Sequence, residues 1–272
     1  MSQDIAVAYA KRHQLAGLLI VRDGETIFEE YDSGWNAEKA HAIYSGTKSF
    51  WGTTALCAQT DGILDLEETV GATFPMWDED EKRRAVTLRM LLDLTSGIGF
   101  GGLGNAVPNY EKAVQVAVKD VPGSTFTYGG IPLQVFGAVL ARKLESRGQT
   151  PHEYLKARVL DPIGVNYESW RTLADGTHPL PTGVYITARE WLKYGAFVAA
   201  GGFGEALRGS DANPRYGLGW WLGAKDAPAD LFYASGSGGQ AMYVVPSQKL
   251  LVVHFGQKAT YNHKAFLKRL FT

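Results

Sequence analysis

Both ends of this chain carry strand patterns, whereas its middle is helical. Residues 16–31, "AGLLIVRDGETIFEEY", predict two strands joined at a tight turn, Asp23-Gly24. Towards the other end, "YGLGWWLG", "LFYASGSGGQAMYVVP" and "KLLVVHFGQ" predict three further strands. We therefore expect the two ends to pair in one antiparallel sheet, with the helical middle inserted between them.

Helices are predicted at both ends and through the middle. The middle segments are "GTKSFWGTTALCAQTDG", "VTLRMLLDLTSG" up to Gly97, "GGIPLQVFGAVLARKLESRG" and "TPHEYLKARVLDPIG". Another begins at Thr187, with Glu190 three residues on in a capping-box pattern. The expected fold is α/β (α+β): a single domain over 1–272, with an α/β lobe at about 1–44 and 170–272 and a helical lobe at about 45–169.

Charge and composition favour small-molecule partners. The 272 residues include 27 basic and 28 acidic side chains without a run of like charge, so we expect neither nucleic acid nor a membrane surface as partner. No segment approaches the roughly 20 apolar residues of a membrane span. The single cysteine, Cys57, excludes an internal disulfide, and together with the lack of a signal-peptide pattern it favours a cytoplasmic location, while export with the signal removed stays open.

Neither a cofactor nor a metal is expected. The glycine-rich residues 97–105 follow a helix and do not open one, which is the wrong context for a phosphate-binding loop. The histidines lack His-x-x-x-His spacing, and Cys57 has no cysteine partner. His41 lies close to a candidate nucleophile, Ser45, but a Ser-His-Asp site is disfavoured because no Gly-x-Ser-x-Gly surrounds that serine.

The pair Ser45 and Lys48 is the first candidate for chemistry. This spacing is common by chance, and it also fits a helix start with a solvent-facing lysine. Here, however, the lysine stands in a segment that reads as a buried helix, on the same face as the serine. Burial disfavours the ammonium and lowers its pKa, so the neutral amine can accept the serine proton.

Two later segments complete a candidate site. In "PGSTFTYGG", Tyr128 is either a packing residue or a phenol whose pKa a neighbouring cation lowers, so that it relays protons. In "ASGSGGQAMYVV", the glycines mark either a bulge or a strand that approaches a ligand closely. An N–H there can form half of an oxyanion hole with the N–H of Ser45.

In this order the motifs resemble the serine β-lactamase and penicillin-binding-protein superfamily. The resemblance is greatest to the branch of class C β-lactamases, D-Ala-D-Ala peptidases, family VIII carboxylesterases and 6-aminohexanoate-dimer hydrolases. It spans nearly the whole chain: the opening hairpin, "SGTKSF", "LLDLTSGI", "PGSTFTY", "TAREWLKYG", and the glycine-rich strand with "VVP" and "LLVV" after it.

The resemblance implies a role for each motif. Ser45 corresponds to the acylated nucleophile, Lys48 to its proton partner, and Tyr128 to the tyrosine of the family's Tyr-x-Asn element. The Lys-Thr-Gly or His-x-Gly element corresponds to Ala234-Ser235-Gly236. That alignment implies a second oxyanion N–H at Ser237, and substrate contacts at Ser235 and Gly236.

Two departures from the family bear on the substrate. Gly130 replaces the asparagine of Tyr-x-Asn at a substrate-binding position, and Ala234 replaces the cationic residue that helps to bind a substrate carboxylate. These losses argue against an efficient penicillinase or D-Ala-D-Ala peptidase but leave acyl transfer possible. Trp51, Trp220 and Trp221 are either pocket walls or core residues.

We therefore expect a serine hydrolase that forms an acyl-enzyme with small esters or amides. Two alternatives stay open: a β-lactamase or D-Ala-D-Ala carboxypeptidase, and a non-catalytic binding or sensor domain that retains the fold. The sequence does not determine the natural substrate or the oligomeric state.

Overall fold

One antiparallel sheet organises the molecule. The structure is a computed structural model that describes residues 2–257 and 260–272. Six strands form the sheet in the order β2-β1-β9-β8-β7-β6. Their bounds are β1 Leu15–Arg22, β2 Glu25–Tyr31, β6 Trp221–Leu222, β7 Phe232–Gly236, β8 Gln240–Val245 and β9 Leu250–Gly256. Three short strands form a second sheet, in the order β3-β5-β4: β3 His41–Ala42, β4 Ser169–Trp170 and β5 Val184–Ile186.

The predicted pairing of the two chain ends is confirmed. β1 lies between β2 and β9, with Leu19 opposite Val253. The turn between β1 and β2 has positive φ at Asp23 (53°) and Gly24 (82°), as the tightest hairpin turn requires. The expected α/β (α+β) fold class, with an antiparallel sheet built from both chain ends, is therefore confirmed as well.

The two faces of the large sheet bury different helices. Helices α1 (Ser2–Arg12) and α8 (His263–Phe271) pack on one face, against side chains such as Ile20 and Val252. Helices α2 (Ser49–Thr60) and α7 (Ala188–Ala199) belong to the core on the other face. Because strand side chains alternate in direction, the same strands supply both cores.

The remaining helices lie in the middle of the chain. They are α3 Leu88–Leu92, α4 Tyr110–Ala113, α5 Ile131–Leu144 and α6 Pro151–Leu155, and α6 continues into one π-helical turn. The predicted capping box at Thr187 is seen in part, since its side chain accepts a hydrogen bond from the Glu190 N–H. None of the helices in the described part of the chain is long and apolar enough to cross a membrane.

Three element boundaries differ from the sequence prediction. "LFYASGSGGQAMYVVP" is a hairpin of two strands, β7 and β8, because Gly238 and Gly239 adopt positive φ and turn the chain. "YGLGWWLG" contributes only the two residues of β6. Helix α3 stops at Leu92 rather than at Gly97, since Leu94 has a φ of 63° that no α-helix accommodates.

Candidate functional site

Ser45 lies in a 3-10 turn, Tyr44–Lys48, that leads directly into α2. The N–H of Gly46 donates to the Ile43 carbonyl and closes this turn. Position 46 requires glycine, because a Cβ there would lie 2.8 Å from the Trp191 ring. In a 3-10 turn the side chains at i and i+3 are eclipsed. Ser45 and Lys48 therefore project in the same direction.

The amine of Lys48 is buried next to the serine hydroxyl. Its Nζ lies 3.0 Å from Ser45 Oγ and 3.4 Å from the Pro181 carbonyl oxygen. The residue is 1% exposed, and desolvation lowers the pKa of Lys48 to about 7. This agrees with the expectation from the sequence. A large fraction of the amine is neutral near pH 7, and this form can accept a proton from Ser45.

Tyr128 lies against the same pair. Its side chain shares a hydrogen bond with Ser45, and the Lys48 Nζ lies 4.7 Å from the centre of its ring. The expectation of a lowered pKa is wrong, because burial raises the pKa of Tyr128 and outweighs the Ser45 hydrogen bond. The phenol is thus protonated near pH 7. It can donate a hydrogen bond or a proton, while Lys48 is the group able to accept one.

Aromatic residues from a distant segment bury Tyr128. The Trp221 ring stacks on it with centres 5.8 Å apart, and the Tyr216 ring meets it edge-on at 6.3 Å. Trp221 is half-buried and belongs to the surroundings of the site. Trp220 is fully buried and belongs to the core, where its ring stacks on Tyr194.

The end of β7 reaches the backbone of the nucleophile turn. A Cβ on Gly236 would lie 2.0 Å from the Ile43 carbonyl oxygen and 3.3 Å from the Ser45 nitrogen. A side chain at this position would therefore collide with the turn that carries Ser45. The structure thus brings the backbone of Gly236 close to the Ser45 nitrogen.

The preceding residues of β7 face in alternating directions. Ala234 pairs with Met242 in the core beside α2, so its methyl group occupies the side on which Gly236 meets Ser45. Ser235 pairs with Ala241, which belongs to the core under α1 and α8. Directly paired residues share a face. The side chain of Ser235 therefore points away from Ser45, and a substrate contact there involves the backbone.

Two buried side chains hold the turn after β7. The Gln240 amide donates to the carbonyl oxygens of Ser237 (3.2 Å) and Gly256 (2.8 Å), and it accepts from the Gly256 N–H. His254 Nδ1 lies 2.6 Å from the Gly239 carbonyl oxygen. Burial lowers the pKa of His254 to about 3, so its ring is neutral and its Nδ1 donates. Sequence reasoning missed both residues, which fix the backbone of Ser237.

Gly130 is a buried packing position, and its predicted substrate contact stays a prediction. The residue is buried at the start of α5, where its N–H donates to the Gly101 carbonyl. A Cβ there would lie 1.9 Å from the Gly102 carbonyl oxygen. The glycine-rich loop fills the space in which an asparagine side chain would lie.

Trp51 is a core residue, so the alternative that it is a substrate-binding pocket wall is wrong. Its side chain is fully buried in α2, and its indole N–H donates to the Leu180 carbonyl at 2.6 Å. The N–H of Leu180 in turn donates to the buried amide of Gln134. Trp51 and Gln134 therefore support the segment whose next carbonyl, that of Pro181, accepts from Lys48.

His41 is stacked away from the nucleophile. Its ring lies between Trp35 and Phe255, with centres 4.5 Å and 4.9 Å away, and its Nδ1 contacts the Ala42 carbonyl. Burial lowers the pKa of His41. The group that contacts the Ser45 hydroxyl as a potential base is thus Lys48.

Comparison with known proteins relates this arrangement to one family. A family model described as Beta-lactamase matches residues 3–271. No curated protein matches the sequence. A structure of a family VIII carboxylesterase superposes with a TM-score of 0.78 at 16% identity, covering 99% of this chain and 95% of that chain.

Two further structures share the fold. A class C β-lactamase from Rhodobacter sphaeroides has a TM-score of 0.76 at 14% identity, covering 98% of this chain and 96% of its own. A Bacillus anthracis protein assigned as a 6-aminohexanoate-dimer hydrolase has a TM-score of 0.79 at 19% identity, covering 95% and 78%. At these identities the likeness concerns the fold alone.

Proposed function

Because this chain belongs to the Beta-lactamase family, we propose that it is a serine hydrolase that works through an acyl-enzyme at Ser45. The observation that carries the proposal is the buried amine of Lys48, 3.0 Å from Ser45 Oγ with a pKa of about 7. Such an amine is a base matched to neutral pH. A lysine retained only as a helix residue would have no reason to be buried beside a serine.

In the first step Ser45 Oγ attacks the substrate carbonyl and gives its proton to neutral Lys48. The negative charge that develops on the carbonyl oxygen is stabilised by the N–H groups of Ser45 and Ser237. The approach of Gly236 to the Ser45 nitrogen supports this pairing. The backbone N–H and C=O groups of every second strand residue point to the same edge of the strand. Just before β7, the Leu231 carbonyl accepts a hydrogen bond from the Gly223 N–H, just after β6. Continued along β7, this alternation turns Ser235 to the edge that β6 leaves open, and Ser237 follows in the turn after β7.

Collapse of the intermediate expels the leaving group, which takes a proton from Tyr128. The phenol then recovers a proton from the Lys48 ammonium that formed in the first step. Water attacks the Ser45 ester in the second half-reaction, with the same groups acting in reverse, and releases the acid. The raised pKa of Tyr128 supports its role as the donor.

We propose small esters or amides as the substrates, with esters first. The methyl group of Ala234 and the packing of Gly130 against Gly102 leave both family positions for polar β-lactam recognition without a side-chain donor. A site without such donors does not select strongly for a carboxylate or an acylamide. The family VIII carboxylesterase fold match is in keeping with this substrate class.

Paired turnover assays test this function. We expect kcat/KM for a p-nitrophenyl short-chain ester to exceed that for a chromogenic cephalosporin under matched conditions, with both rates lost in Ser45→Ala. A clear preference for the cephalosporin would instead identify a β-lactamase. A stable Ser45 adduct without repeated turnover would identify a non-catalytic acyl-binding domain.

A further inference from the structure

Two clefts adjoin Tyr44, the residue before the nucleophile, and both are lined by the exposed side chains of Tyr44 and Tyr185, called the ridge below. The aromatic cleft, about 550 Å³, is lined by Trp35, His41, Ser237 and Gly238 together with the ridge. The second cleft, about 340 Å³, is lined by Arg171, Asn105 and Thr182 together with the same ridge. The aromatic cleft touches both Tyr44, which precedes Ser45, and Ser237, so a group bonded to the reacting carbonyl can enter it.

The two clefts differ in charge. None of the side chains that line the aromatic cleft is a carboxylate, lysine or arginine, and burial lowers the pKa of His41, which is neutral near pH 7. The ammonium of Lys39 lies over the Trp35 ring and donates to the Gly34 carbonyl. In the second cleft Arg171 forms no ion pair with any carboxylate in the described part of the chain.

The two tyrosines of the ridge expose large parts of their side chains to solvent. Tyr44 is 45% exposed and Tyr185 42% exposed. Tyr44 has a φ of 45°, in the left-handed region that is unfavourable for residues with a side chain. Residues held in unfavourable backbone conformations cluster at active sites and ligand-binding sites. The unfavourable backbone conformation of Tyr44 places its aromatic ring next to the nucleophile.

Resting on the acyl transfer proposed above, we propose that the aromatic cleft binds an uncharged aromatic group of the ester, on its acyl or its alcohol side. The exposed rings of Tyr44 and Tyr185 offer stacking surfaces, Trp35 adds an apolar wall, and the backbone at Gly238 has no side chain to obstruct them. The cleft volume lies within the range of small-molecule sites. Cleft shape and neutrality thereby set the substrate class.

Four esters test this proposal on the wild-type protein: ethyl acetate, benzyl acetate, ethyl phenylacetate and ethyl hydrogen succinate. Each kcat/KM is divided by the rate constant for hydroxide hydrolysis of the same ester, so that differences in intrinsic reactivity between the esters do not affect the comparison. We expect one of the two aromatic esters to exceed ethyl acetate by about tenfold or more, a typical gain for a filled apolar pocket. The anionic succinate should show no gain.

Matched variants assign that gain to the cleft. Tyr185→Phe should retain the preference for the aromatic ester, whereas Tyr185→Ser should reduce it several-fold. The exposed position of this residue makes both variants foldable. Ile27→Ala, an exposed residue on β2, serves as the control and should retain the wild-type preference.

The outcomes separate the two proposals. Equal rates for aromatic and ethyl esters, preference for the succinate, or an aromatic preference that survives Tyr185→Ser would each overturn the assignment of the aromatic cleft. No Ser45-dependent hydrolysis of any of the four esters would overturn the proposed function itself.

Discussion

The amine of Lys48 and the hydroxyl of Ser45 lie 3.0 Å apart because both residues belong to one 3-10 turn. The turn eclipses the two side chains, and the core around α2 removes water from the amine. Local geometry thus supplies the contact, and tertiary packing supplies the lowered pKa of Lys48.

The pH dependence of acylation should follow Lys48. Since the pKa of its amine is about 7, the basic form is lost as the pH falls below that value. We expect kcat/KM for an ester to rise with pH, to reach half of its maximum near pH 7 and to level off above it. Stopped-flow measurement of acylation between pH 5 and pH 9 checks this. A profile that is flat across this range would contradict Lys48 as the base.

The same amine should make folding stability depend on pH. The unfolded lysine has its ordinary pKa of 10.5, so between pH 7 and pH 10.5 the unfolded chain binds more protons than the folded one. Stability therefore rises with pH through this window, by about 2 kcal/mol from Lys48 alone between pH 7 and pH 9. Urea unfolding at the two pH values measures the change.

Comparison with variants isolates the contribution of this lysine. Lys48→Met should lose the pH-dependent increment and be more stable than the wild type at pH 7, while being nearly inactive. Lys264→Met, at an exposed position on α8, should keep the wild-type slope. An equal slope in Lys48→Met and the wild type would mean that the amine is charged in the folded protein.

Tyr128→Phe should reveal proton donation to the leaving group. Because burial raises the pKa of Tyr128, the phenol is a donor, and its loss should slow hydrolysis of an alkyl ester about 100-fold or more. A p-nitrophenyl ester should be affected much less, since p-nitrophenolate leaves without a proton. Tyr167→Phe, whose ring packs on Trp170, is the control. Equal losses for both esters would argue for a role in positioning only.

Gly236→Ala should disable the oxyanion site. The added methyl group would lie 2.0 Å from the Ile43 carbonyl oxygen, so the turn carrying Ser45 must move away from β7. Loss of one oxyanion donor typically costs about 100-fold to 1,000-fold in kcat, and we expect a loss in this range. Gly204→Ala adds its methyl group in open space and should be neutral. Steady-state kinetics of both variants test this prediction. A wild-type kcat in Gly236→Ala would contradict the proposed oxyanion site next to Gly236.

Much of the fold was predictable because it depends on patterns that repeat along the chain. Alternation in β1 and β9 and the Asp23-Gly24 turn identify the strands, and their positions at the two chain ends require them to pair. The sequence pattern predicts a single strand where the structure has the hairpin between β7 and β8. Positive φ at Gly238 and Gly239 turns the chain there.

The site was predictable where it depends on local spacing and less so where it depends on distant contacts. Ser45 and Lys48 meet through one turn, whereas Tyr128 is buried by Tyr216 and Trp221, which lie far along the chain. That burial reverses the expected direction of the Tyr128 pKa shift. No local sequence pattern indicates this burial of Tyr128.

Contacts between side chains and backbone carbonyls also could not be predicted from the sequence. Gln240 and His254 hold the turn at Ser237 through carbonyl oxygens, which are the same for every residue type. The packing of Gly130 on Gly102 and the hydrogen bond from Trp51 to Leu180 are of the same kind. Only the three-dimensional arrangement distinguishes these supporting residues from the substrate contacts that were expected.

The central claim is that Ser45 is acylated with Lys48 as its base. Intact-mass spectrometry after brief exposure to a fluorophosphonate, with peptide mapping of the adduct, tests it most directly. The account predicts a single adduct on Ser45 in the wild type, none in Ser45→Ala, and slow labelling in Lys48→Met. An adduct of the same mass on another residue of Ser45→Ala, formed at the wild-type rate, would contradict it.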